Sequence, residues 1–162
     1  MNARSTVVLY AEDSEDDAFL MQRAFNKLNF PGTLVVVPNG LEAQRYLEGA
    51  NNYADRQLHP LPKIILLDVK MPHLGGLDVL KWLRAQNEFQ HVPVFMFSTS
   101  SQPADIVTAY QYGANSYLVK PSNLGDFSAL VEDLAAVCGR DRTPDNAPPT
   151  IIKIRGAITR PV

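Results

Sequence analysis

Short apolar segments alternate with amphipathic segments along most of the chain. Five segments of four or five mainly apolar residues, at positions 7–11, 33–37, 64–67, 94–97 and 116–119, predict strands that are buried on both faces. Between and after these segments, apolar residues recur every three or four positions, which predicts amphipathic helices. Each predicted strand is therefore followed by a predicted helix.

Capping residues indicate where some of these elements begin and end. Ser14 is placed to cap the first helix, which we expect over about residues 15–28, and Gly113 is placed to end the fourth helix. Five strand–helix units in succession favour an α/β fold, in which a doubly wound parallel sheet is covered by helices on both faces.

The domain organisation follows from a change in composition near residue 139. We expect one domain over residues 6–138 and a tail over residues 139–162 that is flexible or bound to a partner, with no output domain. The first half of the tail is rich in Pro, Asp and Asn, whereas the second half contains TIIKIRGAI, a marginal strand. Residues 51–62 are polar and are expected to form a loop or a helix extension.

Composition and charge narrow the class of protein. The chain has 162 residues and a formal net charge of −2, which gives no support for a general nucleic-acid-binding surface. The apolar run near the N-terminus is interrupted by Glu12 and Asp13, so we expect neither a signal peptide nor a membrane span. The single cysteine, Cys138, has no partner for an internal disulfide, which fits a cytoplasmic protein.

Polar and charged residues stand at the ends of four of the five predicted strands. Glu12 and Asp13 end the first strand, Asp68 the third, Ser98 the fourth and Lys120 the fifth. The carboxyl ends of parallel strands share one edge of the sheet, where ligands bind in open α/β folds. Three carboxylates held close together repel one another, and Mg²⁺, which prefers oxygen ligands, would relieve that repulsion.

This set of groups matches the requirements of phosphoryl transfer. The central carboxylate, Asp68, is the best candidate for a nucleophile that forms an acyl phosphate. A metal ion and Lys120 would neutralise charge on the transferred group, and Ser98 would donate a hydrogen bond to it. Taken singly, each of these residues also fits a structural role as a cap, a turn residue or a solvated surface charge.

Several segments resemble the response-regulator receiver family of two-component systems, over about residues 6–138. The matching segments are VLYAED at residues 8–13, ILLDVKMP at residues 65–72, Gly75-Gly76, and the stretch from Gly113-Ala114 through Tyr117 to Lys120-Pro121. The resemblance implies a five-stranded (βα)5 flavodoxin-like receiver fold with strand order 2-1-3-4-5. It also implies a phosphorylation switch that catalyses only its own phosphotransfer and slow autodephosphorylation, and is not otherwise an enzyme.

The resemblance also implies which residues form the phosphorylation site. Asp68 is the phosphoacceptor, which receives the phosphoryl group from a sensor histidine kinase. Glu12, Asp13, Asp68 and the backbone carbonyl of Lys70 are the ligands of Mg²⁺.

A second set of residues is implied to read the phosphorylation state. Ser98 is the switch hydroxyl, Tyr117 is the switch aromatic that turns inward as Ser98 moves, and Lys120 pairs with the phosphoryl oxygens. Thr99 stands in the phosphoryl-binding region where the family usually has a small alanine. The bond between Lys120 and Pro121 is expected to be cis.

The length and features of residues 51–62 extend the resemblance to one group within the family. Tyr53-Ala54-Asp55 with Pro60 and Pro62 is similar to an insertion in small response regulators paired with phytochrome-type sensor kinases. A phytochrome-type kinase is therefore the expected partner. Lys70 and Ser100 occupy positions that tune dephosphorylation in the family, so the lifetime of the phosphoryl group is left open.

Three other functions compete with this interpretation. A haloacid-dehalogenase-type phosphatase needs a second Asp two residues after the nucleophile, where this chain has Lys70. A mononucleotide-binding flavodoxin-like protein needs a phosphate-binding loop after the first strand, where the acidic residues 12–17 would repel phosphate. A receiver fold that binds partners without being phosphorylated is the third alternative.

Without an attached effector, signalling is expected to pass through protein contacts. In the family the usual surface is the face made by the fourth helix, the fifth strand and the fifth helix. We expect a downstream protein target there and a homodimer through the same face, while the tail could add a strand to a partner's sheet.

Overall fold

The computed structural model of the chain describes residues 6–121, 124–139 and 151–161. The strands are β1 (Thr6–Ala11), β2 (Gly32–Val37), β3 (Ile64–Leu67), β4 (Val94–Ser98), β5 (Ser116–Val119) and β6 (Ala157–Ile158). The helices are α1 (Glu15–Lys27), α2 (Gly40–Glu48), α3 (Gly76–Ala85), α4 (Pro103–Gln111) and α5 (Leu124–Cys138).

The strands form one sheet in the order β2-β1-β3-β4-β5-β6. The first five strands pair in parallel, which confirms the predicted doubly wound α/β fold and the order 2-1-3-4-5. The tail adds a sixth strand to the predicted five, because β6 pairs antiparallel with β5. β6 consists of the last two residues of TIIKIRGAI, the marginal strand that the sequence predicts in the tail.

Two apolar layers cover the two faces of the sheet, because successive side chains of a strand point to opposite sides. Leu9 and Ala11 of β1 belong to the layer that also contains core residues of α2, α3 and α4. Val8 and Tyr10 belong to the layer that contains core residues of α1 and α5. This sandwich explains why the central strands are mainly apolar. No helix in the described part of the chain is long and apolar enough to cross a membrane.

Side-chain caps set the starts of the first two helices. The Oγ atom of Ser14 accepts a hydrogen bond from the backbone N–H of Asp17 at 3.3 Å, as the sequence predicts. The Oδ1 atom of Asn39 accepts one from the N–H of Glu42 at 2.8 Å. The first of these caps begins α1 directly after Glu12 and Asp13.

Residues 51–62 form a loop that contains one turn of 3-10 helix at Asn51–Tyr53. Arg56 donates hydrogen bonds to the backbone carbonyls of Tyr46, Leu47 and His59. Because the last carbonyls of a helix lack partners within it, Arg56 satisfies the C-terminal end of α2. The loop is therefore tied to α2 and does not extend it.

The described part of the tail, residues 151–161, lies against the domain. Ile154 is buried, and Arg155 forms ion pairs with Glu132 and Asp133 of α5 at 2.8 and 3.1 Å. Gly156, at a φ of 79°, turns the chain before β6, so the predicted strand is shortened to its last residues. For residues 140–150 the expectation lies outside the described residues, and the domain boundaries stay a prediction.

The start of α3 packs directly on the backbone that follows β3. A Cβ atom added to Gly76 would clash with the carbonyl oxygen of Asp68 and lie 2.8 Å from its carbonyl carbon. The N–H of Gly76 donates to the carbonyl of Val69 at 3.0 Å. Only glycine permits this approach, which holds α3 against Asp68, the residue that follows β3.

We expect Gly76→Ala to lower the free energy of unfolding by about 1–3 kcal/mol, since the backbone must shift to admit the methyl group. Urea denaturation measures the change. Gly139→Ala is the matched control, because its added Cβ would meet no atom closer than 3.7 Å. Equal losses in the two variants would contradict the role of the close approach.

Candidate functional site

The polar residues that follow the strands gather at one edge of the sheet, as the sequence predicts. Asp68 lies between the end of β1 on one side and the end of β4 on the other, because β3 pairs with both strands. Glu12 and Asp13 follow β1, Ser98 ends β4 and Lys120 follows β5. Glu12, Asp68 and Ser98 are buried, while Asp13 is exposed.

The ammonium group of Lys120 joins three acidic side chains. Its Nζ atom lies 2.5 Å from Oε2 of Glu12, 2.9 Å from Oδ2 of Asp17 and 2.9 Å from Oδ2 of Asp68. The Lys120 side chain is only 6% exposed, and burial alone would lower its pKa. The hydrogen bonds to the three carboxylates outweigh burial and raise the pKa above its ordinary value. Lys120 therefore stays protonated.

Asp17 is a member of this site that the sequence analysis did not single out. It lies in the first turn of α1, four residues after Asp13, and its carboxylate approaches Lys120 across the site. The signal for Asp17 in the sequence is the acidic run over residues 12–17, which also contains the predicted metal ligands Glu12 and Asp13.

Glu12 is held in a network that leaves its carboxylate buried. Its Oε2 atom accepts a hydrogen bond from the hydroxyl of Tyr10 at 2.9 Å, and its Oε1 atom accepts one from the N–H of Ser14 at 3.0 Å. Burial raises the pKa of Glu12, and its contact with Lys120 opposes that rise. Burial and the neighbouring Glu12 raise the pKa of Tyr10, so its hydroxyl remains a donor.

Three carboxylates offer a set of oxygen ligands for a divalent cation. One oxygen each from Glu12, Asp13 and Asp68 lies within 4.8 Å of the others. Hard cations such as Mg²⁺ bind oxygen ligands and usually keep several waters, and the exposure of Asp13 leaves one side of the group open to solvent. These residues therefore fit a Mg²⁺ site. Lys70 is exposed, and the role of its backbone carbonyl stays a prediction.

The hydroxyl of Ser98 lies beside the loop that joins β4 to α4. Its Oγ atom accepts a hydrogen bond from the N–H of Ser100 at 3.1 Å, and its carbonyl accepts one from the N–H of Lys120 at 2.8 Å. Ser98 therefore contacts both this loop and Lys120, directly after β5. Thr99, next along the chain, is exposed.

Tyr117 lies with its ring inside the protein and is fully buried. Its hydroxyl donates to the carbonyl of Ser100 at 2.8 Å, and the hydroxyl of Ser100 donates to Oδ2 of Asp105 at 2.5 Å. Burial raises the pKa of Tyr117. Ser100 thus connects Ser98, Tyr117 and α4, a connection that the sequence did not indicate because it depends on the path of the loop.

The bond between Lys120 and Pro121 is trans, which corrects the expected cis bond. No peptide bond in the described ranges is cis, which includes this one. The trans form of an X–Pro bond is favoured by about 0.5–1 kcal/mol. Because Lys120 already reaches its three carboxylates, the contacts of the site do not require the less stable isomer.

Comparison with known proteins agrees with this geometry. The family model described as the response regulator receiver domain matches residues 8–132. Response regulator Rcp1 of Synechocystis sp. is 30% identical over 128 residues, which is 79% of this chain and 85% of the relative. The crystal structure of the Mn²⁺-bound form of Rcp1 has a TM-score of 0.74 at 27% identity, and covers 85% of this chain and 99% of Rcp1.

Two further solved structures are similar over most of their length. The phosphorylated cyanobacterial phytochrome response regulator RcpA has a TM-score of 0.73 at 30% identity, covering 80% of this chain and 91% of RcpA. RPA3017, a response regulator in red light signalling of R. palustris, has a TM-score of 0.73 at 34% identity, covering 90% of this chain and 99% of RPA3017. Fold, site and similarity agree, and the chain belongs to the response regulator receiver domain family of two-component signalling.

Proposed function

We propose that this chain accepts a phosphoryl group on Asp68 from a sensor histidine kinase, in a reaction that depends on Mg²⁺. The observation that carries the proposal is the setting of the Asp68 carboxylate. It is buried, lies 2.9 Å from the ammonium of Lys120, and has carboxylate oxygens of Glu12 and Asp13 within 4.8 Å. A carboxylate in this setting can act as a nucleophile, and Lys120 together with a bound Mg²⁺ would offset the charge of the acyl phosphate.

In the proposed transfer, an oxygen of Asp68 attacks the phosphorus of a phosphohistidine in the kinase. The new P–O bond forms as the P–N bond breaks, and the imidazole nitrogen keeps the electron pair. Lys120, whose raised pKa keeps it cationic, pairs with an oxygen of the arriving group. Mg²⁺, held by Glu12, Asp13, Asp68 and the carbonyl of Lys70, would neutralise further charge on the phosphoryl oxygens.

The proposed readout depends on Ser98 and Tyr117. A phosphoryl oxygen on Asp68 attracts the Ser98 hydroxyl, which at present contacts the N–H of Ser100. Movement of Ser98 changes the position of Ser100, whose carbonyl holds the hydroxyl of Tyr117. Phosphorylation then biases a two-state equilibrium of the β4–α4 loop and Tyr117.

The proposed partners are a kinase and a protein target. Similarity to RcpA and RPA3017, regulators in phytochrome and red light signalling, supports a phytochrome-type kinase as the partner. The face formed by α4, β5 and α5 is the proposed surface for the target and for a homodimer. The described tail lies on this face, so any partner there also contacts residues 151–161 or displaces them.

Acetyl phosphate with Mg²⁺ should phosphorylate the purified chain, and Asp68→Asn should abolish the reaction because an amide cannot form the acyl phosphate. Intact-mass spectrometry gives the extent of labelling. Asp78→Asn, which changes an exposed acid of α3, is the matched control and should be labelled like the unaltered chain. Full labelling of the Asp68 variant would refute the assignment. Absence of labelling in the unaltered chain, even with a cognate kinase, would favour a receiver that only binds partners.

Asp13→Asn should weaken Mg²⁺ binding about tenfold, equivalent to about 1.4 kcal/mol, since one of three carboxylate ligands loses its charge. Calorimetric titration with Mg²⁺ measures the dissociation constant. Asp13 is exposed, so the change should leave the fold intact. Asp16→Asn removes an equally exposed acid outside the three-carboxylate group and should bind Mg²⁺ normally. Equal weakening in both variants would show that bulk charge, and not a ligand, was lost.

A further inference from the structure

The described tail contacts the strand that carries the proposed switch aromatic. β6 pairs antiparallel with β5, so that Ile158 lies opposite Tyr117 and Ala157 lies opposite Leu118. On antiparallel strands, residues directly opposite each other project to the same face with Cβ atoms about 4.5–5.5 Å apart. Ile158 accordingly packs on the apolar layer that contains Tyr117, whereas Ala157 packs on the layer that contains Leu118.

Several contacts hold the tail in this position. The N–H of Ile152 donates to the carbonyl of Asn115 at 2.9 Å, and the Ile154 side chain is buried among residues of the β5 and α5 side. Arg155 donates through its backbone N–H to Asp133 at 3.0 Å and through its guanidinium to Glu132 at 2.8 Å. The tail is therefore anchored directly before Ala157 and Ile158, the residue pair that faces the switch.

Tyr110 of α4 connects the two strands through one hydroxyl. Its oxygen accepts a hydrogen bond from the N–H of Tyr117 at 3.2 Å, and its proton is donated to the carbonyl of Ile158. Tyr110 is itself buried. The hydroxyl thus has one partner on the switch residue and one on the tail, so the position of each strand depends on the other.

We propose that β6 is an intramolecular lock that keeps Tyr117 inward, with Ile158 and Tyr110 as its positioning residues. The inference rests on the switch role proposed above for Tyr117. The hydroxyl of Tyr117 is held by Ser100, and Ile158 packs against the apolar layer that contains the Tyr117 ring. In the proposed lock, the ring turns outward only when the contacts of Ile158 are released.

Through the lock, docking of the tail on β5 changes how strongly the site holds a phosphoryl group. If both tail docking and the phosphoryl group favour inward Tyr117, each strengthens the other by the same factor, because coupling between sites is reciprocal. Tail docking then increases the affinity of the site for a phosphoryl analogue. Conversely, loss of the tail contact exposes the ring before any phosphoryl group is removed.

The direct test uses the full-length chain with 3-fluorotyrosine at position 117 and no phosphoryl donor. We expect one ¹⁹F resonance that a paramagnetic agent in the solvent does not broaden. Ile158→Ala and Tyr110→Phe should each shift the resonance toward the value of an exposed tyrosine and make it sensitive to the agent. Ile151→Ala is the matched control, because Ile151 is an exposed residue of the same tail. A resonance of Ile158→Ala that is unchanged, or that matches a changed Ile151→Ala, overturns the lock.

A second measurement separates this inference from the proposed function. The second measurement is the affinity of Ile158→Ala for BeF₃⁻, the phosphoryl analogue, in the presence of Mg²⁺. If this change reduces the population with Tyr117 inward to about one tenth, the analogue should bind about tenfold more weakly. Ile151→Ala should bind like the unaltered chain. If the unaltered chain fails to bind BeF₃⁻, the phosphoacceptor proposal fails, while the ¹⁹F result still decides the lock.

Discussion

The site depends on one buried cation among acids that come from distant parts of the chain. Lys120 brings together Glu12 after β1, Asp17 on α1 and Asp68 after β3. Without it, the buried carboxylates of Glu12 and Asp68 would face each other and the partly exposed carboxylate of Asp17. Their mutual repulsion would oppose the folded arrangement, since buried like charges disfavour one another's ionised forms. Lys120 also directly follows β5, the strand that carries Tyr117. The cation of the site and the proposed switch aromatic are therefore positioned by the same short strand.

Much of the fold could be predicted because its strands lie between two layers of helices. The segments 64–67 and 116–119 agree with β3 and β5 residue for residue, since a strand that lies between two layers of helices is mainly apolar. The placement of Glu12, Asp13, Asp68, Ser98 and Lys120 at one edge followed from parallel topology alone. Helix ends were less accurate: α1 ends at Lys27, because Leu28 already serves as its C-terminal cap.

Other contacts were not predictable because they depend on packing between elements. Asp17 and Lys120 are 103 residues apart, and the acidic run alone does not say which member turns toward the lysine. Arg84 is another example. Its guanidinium donates to the carbonyls of Gly113 and Val92 and to the side chain of Asn115, and burial lowers its pKa to about 10. It joins α3 to the turns that flank β4 and β5, where an arginine in an amphipathic helix would ordinarily be solvated.

The tail strand also determines how the sheet ends. An open sheet exposes unpaired N–H and C=O groups along its last strand, and such an edge can pair with strands of other molecules and seed aggregation. β5 is covered by β6, and β6 offers only Ala157 and Ile158 in strand conformation, between the turn at Gly156 and an exposed Arg160 followed by Pro161. A charged residue and a proline are the features by which natural sheets discourage further pairing. On this side, the sheet is protected from growing beyond its own chain.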